Sequence, residues 1–184
     1  MLLLQLAYSG ELGAIRAYLG HRASLSDRAE RASLSTITRD EIRHRTCIAA
    51  MLATLGSVPD PRRERKMDWV GRSIALFCSV GGWFMPMYGA GRLERNNVGE
   101  YEHAARLAIL ARCEDMAERL LEMAEVEWDH EKFFRDRASS HVLWRVFPSW
   151  PQLPARGEIR RSFGAWLASS DRRVEPLRIP WLVR

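Results

Sequence analysis

Apolar residues recur along this chain in steps of three and four, the spacing of an amphipathic helix face. Leu4, Ala7, Glu11, Ala14 and Tyr18 share one face of a first helix over residues 2–20. A polar stretch at Ser24–Asp27 makes the turn, and Asp27 with Glu30 has the capping-box spacing that opens a second helix over about 28–55. Its seam runs Leu34, Ile37, Glu41, His44, Ile48, Met51 and Leu55, and Gly56 with Pro59-Asp60-Pro61 ends it. A third helix is predicted over about 94–112. A fourth follows over about 116–136, with Asp115 and Glu118 at capping-box spacing. Its seam is Met116, Leu120, Met123, Glu127, His130 and Phe134.

Between the second and third helices the pattern changes. Residues 73–90 carry no charge and hold Trp83, Phe84, Met85, Met87 and Tyr88, interrupted by Gly81-Gly82 and Pro86. Such a run approaches the length of a bilayer span, yet its interruptions and aromatic content suit a crossover connection (67–92) that touches lipid at an interface, with purely internal packing as the alternative. Arg62, Arg63, Arg65 and Lys66 lie beside it. A Trp-, Pro- and Arg-rich tail with Trp144, Trp150, Trp166 and Trp181 is expected to add one short helix near 156–169. The expected organisation is a helical bundle over 1–138 and a C-terminal extension over 139–184.

Two polar pairs interrupt the apolar seams: Glu41-Ile-Arg-His44 and Glu127-Trp-Asp-His130. Residues three apart on a helix share a face, so each pair aims a carboxylate and an imidazole at one place. A buried carboxylate is costly without a cation or a proton. Glu11 precedes the first pair by 30 residues and Glu100 the second by 27, one helix hairpin in each case. A shuffled chain would hold about 0.4 Glu-x-x-His pairs by composition; this one holds three, the third being Glu100-Tyr-Glu-His103. Chance therefore does not account for them, and the alternative to a metal site is a metal-free bundle with buried Glu–His hydrogen bonds. Four helices bringing two such half-sites together form the Glu4His2 pocket of a ferritin-like dimetal carboxylate centre. Glu100 is favoured on the third helix by its face with Ala104, Leu107 and Ala111, and by the echo of Ser9-Gly10-Glu11-Leu12 in Val98-Gly99-Glu100-Tyr101. Glu102, in line with Val98, Ala105 and Ile109, is the alternative. With Glu100 as ligand, His103 lies one turn along as an extra ligand or a donor behind it. Hard carboxylates, two imidazoles and no thiolate suit two iron ions, with manganese as the other choice.

Bulk composition narrows the setting. At 184 residues and 47% hydrophobic, the chain can bury a substantial core. Cys47, Cys78 and Cys113 are odd in number and scattered, which excludes a disulfide framework and a Cys-x-x-Cys metal site. The N-terminal Met-Leu-Leu-Leu-Gln-Leu lacks a basic flank and is not read as a signal peptide. A net charge of +5 and a pI near 9.6 suit an anionic partner. No aromatic-interleaved basic strand points to nucleic acid.

The segment Tyr8-Ser-Gly-Glu-Leu-Gly-Ala-Ile-Arg-Ala-Tyr18-Leu-Gly resembles the first helix of the demethoxyubiquinone hydroxylase (Coq7-type) family. The spacing from Glu11 through Glu41 and His44 to Val58-Pro59, and the pair Glu127/His130, are similar to that family too, over roughly residues 7–135. The crossover is longer, the connection between the third and fourth helices shorter, and Arg95-Asn96-Asn97 stands where the family has small residues. The resemblance implies an all-α, ferritin-like four-helix bundle. It also implies a peripheral di-iron monooxygenase that uses O2 on a quinone-like lipid. Glu11, Glu41, His44, Glu100, Glu127 and His130 are then the ligands, and Glu41 and Glu127 the bridges. Its expected setting is the cytoplasm or the cytoplasmic face of an anionic membrane, with an electron donor still to be identified and room for a homo-oligomer. Three other readings stand beside it: iron storage or peroxide scavenging, a tRNA-modifying hydroxylase, and a non-catalytic membrane-associated helical protein.

Overall fold

The computed structural model describes residues 1–170 and 172–174, so Trp181 lies outside the described residues. Among them the regular structure is helical throughout, as the periodicity predicts. The order is α1 (Leu2–Ser24), α2 (Arg28–Thr54), α3 (Pro61–Val80), α4 (Phe84–Leu110), α5 (Glu114–Ser139), a 3-10 turn (Val142–Arg145) and α6 (Glu158–Ala168). Two compact units divide the chain: Met1–Gly91 with Lys132–Ser149, and Arg92–Glu131 with the tail from Trp150. The division falls within α4 and within α5.

In the first unit, α1 packs against both α2 and α3. It runs four residues beyond the expected end, through Gly20 to Ser24. A Cβ at Gly20 would lie 2.3 Å from the Ala75 Cβ, and one at Gly71 would lie 2.4 Å from the Gly13 carbonyl oxygen. These glycines let α1 and α3 approach backbone to backbone. Arg16 Nε donates to Asp68 Oδ1 at 2.7 Å across the same contact. The α2 ends follow their sequence signals. Asp27 accepts from the Glu30 N–H at 2.8 Å, and Gly56 at φ +67° lets the Ser57 N–H reach the Leu52 carbonyl. Asp60 then caps α3, with Pro61 in its first turn.

The uncharged stretch resolves differently from the expected crossover. Helix α3 continues to Val80, Gly82 at φ +68° breaks the path, and α4 begins at Phe84, ten residues before the predicted start. Pro86 does not interrupt a helix; it sits in the first turn of α4, where its missing N–H has no helical partner to lose. Phe84, Met87 and Tyr88 are buried. Phe84 and Tyr88 pack with Phe147, and Phe84 stacks on His141 at 5.0 Å. Trp83 Nε1 donates to the buried Glu30 carboxylate at 2.8 Å. Phe84 and Tyr88 are thus interior and Trp83 half-buried, whereas Trp69, Leu76, Phe77 and Val80 of α3 are exposed. Among the described residues, no helix is long and apolar enough to cross a membrane.

In the second unit, Val98, Tyr101 and Ala105 of α4 and Leu120, Leu121 and Ala124 of α5 are buried. The α4–α5 turn is made by Arg112 at φ +58°, with the Cys113 N–H bonded back to Ala108. Helix α5 therefore opens at Glu114, and Asp115 lies within its first turn instead of before it. The tail follows α5: Trp150 Nε1 donates to Glu131 at 2.7 Å and Trp128 Nε1 to the Pro154 carbonyl at 2.8 Å. Helix α6, found close to its expected place, buries Ile159 and Phe163, and Arg160 reaches Glu118 and Glu125.

Candidate metal centre

Each unit buries a trio of two carboxylates and one imidazole. In the first, α1 supplies Glu11 and α2 supplies Glu41 and His44. The α2 seam of Leu34, Ile37, Glu41, His44, Ile48 and Met51 is buried along its whole length, so the ligand pair sits in the middle of an apolar stripe. His44 Nδ1 lies 3.5 Å from Glu41 Oε2 and 3.9 Å from Glu11 Oε1. Glu41 is 0% exposed, Glu11 4% and His44 5%. One donor atom from each of the three falls within 4.8 Å of the others, near enough for one ion. The sequence reading placed these three together, and the structure brings them together.

In the second unit the trio is Glu94 from α4 with Glu127 and His130 from α5, again with donor atoms within 4.8 Å of one another. His130 Nδ1 is 3.8 Å from Glu127 Oε2, and both carboxylates are fully buried. Asn97 Nδ2 donates to Glu94 Oε2 at 2.9 Å and to Glu127 Oε2 at 3.4 Å. Burial, and after it the Glu127 charge and a hydrogen bond with Glu127, raise the Glu94 carboxyl well above its usual range. His130 and Asn97 pull the other way without reversing this.

Glu94 is the residue that the sequence reading missed. Met87, Gly91, Glu94, Val98, Tyr101 and Ala105 are all buried and step by four and three. That seam is visible only when the helix is allowed to begin at Phe84. With the helix started near residue 94, Glu94 falls at its end and Glu100 takes its place as the candidate. Glu100 is half-buried and outside the trio, although it feels the site. Burial, with the Glu127 charge behind it, pushes its carboxyl up to about 7. Glu102 is also half-buried and faces Arg106, with an Arg106 nitrogen 3.9 Å from its Oε2. His103 is half-buried and in neither trio; burial and Arg106 hold its pKa below the usual histidine value.

These donors are all oxygen and imidazole nitrogen, and each trio is buried, so each is a cluster that can hold a metal ion. Three protein donors leave further positions on an ion for another ligand. No protein-family model matches the chain, and neither a curated protein nor a solved structure is detectably similar to it.

Proposed function

We propose that each trio holds one iron ion and that the protein is, as the Coq7-type resemblance implies, a di-iron, O2-dependent monooxygenase of a lipophilic, quinone-like substrate. The observation that supports it is the repeated trio: Glu11, Glu41 and His44, then Glu94, Glu127 and His130, every one buried. A single buried histidine is ordinary core. Two matching sets of buried acids and imidazoles in apolar seams need a cation or protons to offset their desolvation, and the repeated carboxylate–imidazole set supports the cation. In this reading Glu11, Glu41 and His44 would hold one ion, and Glu94, Glu127 and His130 the other.

When bound, the iron would supply two-electron reduction of dioxygen. Hydroxylation of a substrate C–H to C–OH with release of one water takes four electrons into dioxygen: two come from the C–H bond and two, with two protons, from an external reductant that restores the ferrous state. The chain's own part is to hold the ions, exclude water through its apolar seams and admit substrate. The α3 face supports a lipid source for that substrate. Trp69, Leu76 and Val80 are each more than 70% exposed, and Arg62, Arg65, Lys66 and Arg72 are exposed on the same helix. An apolar stripe beside basic side chains suits the surface of an anionic bilayer.

Metal analysis of protein loaded with ferrous iron tests the assignment, with about two ions per chain expected for a site of this kind. Glu41→Ala with Glu127→Ala should abolish uptake while far-UV helicity stays. Full iron occupancy in that double variant would overturn the reading. Glu94→Ala should reduce uptake far more than Glu100→Ala; the reverse ranking returns the third-helix ligand to Glu100. Mass spectrometry of co-purified lipid then tests the substrate class.

A further inference from the structure

The metal reading leaves Asn97 without a role, although it sits against two of the residues named as ligands. It follows Glu94 by three residues on α4 and so shares its face. Its single amide nitrogen spans the carboxylates of two helices, 2.9 Å from Glu94 Oε2 and 3.4 Å from Glu127 Oε2. A neutral NH2 group offers two protons and adds no charge to a site that already holds two acids. An aspartate of the same size would add a third negative charge and no donor.

From this geometry we infer that Asn97 is a positioning residue for the second metal ion, holding Glu94 and Glu127 in the orientation that binds it. The inference rests on the metal reading above. Side chains that fix the orientation of metal-binding carboxylates govern affinity strongly, and their loss costs roughly ten- to a hundredfold. A side chain that merely filled space would leave both affinity and ligand geometry unchanged when replaced by one of similar volume.

Cobalt(II) is the probe, with affinity read by competition with a chelator and ligand geometry read from the visible absorption of the bound ion. Asn97→Leu, close in volume but without donors, and Asn97→Ala should each bind the second cobalt roughly ten- to a hundredfold more weakly. Their cobalt spectra should change, and Asn97→Gln, which keeps the amide, should recover part of both. The exposed neighbour serves as control: Asn96→Ala should match the wild type. Wild-type affinity and spectrum in both Asn97→Leu and Asn97→Ala overturn the inference while leaving the metal site standing. Loss of fold in both overturns it too, since Asn97 would then serve folding. A wild-type protein that takes up no cobalt overturns the metal reading, and the role of Asn97 falls with it.

Discussion

Replacing Glu100 by glutamine should make the metal-free protein more stable, and by an amount that depends on pH in one direction only. The Glu100 carboxyl ionises near 4.5 when free and at about 7 in the folded protein, pushed up by burial and by the Glu127 charge. The folded state therefore binds more protons than the unfolded state between these two values. Stability falls as pH rises from about 4.5 through about 7, then levels off. A shift of that size corresponds to about 3 kcal/mol at pH 8 and to under about 0.5 kcal/mol at pH 4. Partial exposure of Glu100 trims the first figure towards ~2 kcal/mol.

Glutamine keeps the shape and does not titrate, so whatever its own packing costs is the same at every pH. Thermal or urea unfolding of wild type and Glu100→Gln, both stripped of metal, at pH 4 through 8 gives the difference curve directly. It should rise by about 2–3 kcal/mol over that range, a shift on the order of 5–10 °C in Tm at the alkaline end. Parallel curves, or a variant less stable at pH 8, would refute the account of Glu100 as an unneutralised buried acid. Repeating the series with saturating cobalt adds a second answer. If Glu100 binds the ion, the variant loses part of the metal-induced stabilisation; if Glu94 binds it, both proteins gain equally.

Three further outcomes follow from other parts of the fold. His21 is buried, stacks on Phe134, and has no hydrogen-bond partner at Nε2 among the described residues; burial lowers its pKa to about 4. The stability it permits is complete above about pH 6.5 and is lost, by up to ~3 kcal/mol, as pH falls towards 4. His21→Phe should flatten that acid limb in urea unfolding, and an unchanged limb would show that other groups cause it. Gly71→Ala should destabilise the protein by about 3 kcal/mol, because the new methyl group meets the Gly13 backbone and the Arg16 Cβ; a Tm equal to wild type would mean that α1 and α3 can separate freely. Trp69→Asp with Leu76→Asp should abolish co-sedimentation with anionic vesicles at unchanged helicity and metal content. Phe84→Asp should instead unfold the chain, since Phe84 is interior. A wild type that ignores such vesicles removes the lipid face.

Where seam and caps agree, the sequence is readable almost residue by residue. The α2 stripe from Leu34 to Met51 and the Asp27 cap are seen as expected, and with them Glu41 and His44. Glu11 was legible because its helix and hairpin length fix its level against that pair. The misreadings share a cause: one residue type serves two physical ends. Proline reads as a break but is harmless in a first turn, so Pro86 hid the start of α4 and with it Glu94. Glycine inside a helix also permits close packing, and Gly20, at the expected end of α1, lies within the helix against Ala75. Aromatic residues read alike whether they face lipid or core. Only the packing of Phe84 and Tyr88 against Phe147 and His141, against the open face of α3, separates the two.

That separation assigns α1 a double task. One of its faces carries Glu11, Ala14 and Tyr18 inward, and Glu11 meets His44 of α2. Gly13, Gly20 and Arg16 face α3, whose own far side carries Trp69, Leu76 and Val80. Contact through glycine leaves no side chain between the two backbones to absorb a shift, and the Arg16–Asp68 ion pair fixes their register. A displacement of α3 therefore moves α1, and with it the Glu11 carboxylate, more directly than a contact cushioned by long side chains would allow. On the proposed reading, the helix that meets lipid and the helix that bears the first ligand move as one piece. The distance from membrane surface to metal is then set by the α1–α3 contact, and a bound lipid need not reorganise α2 to reach the ions.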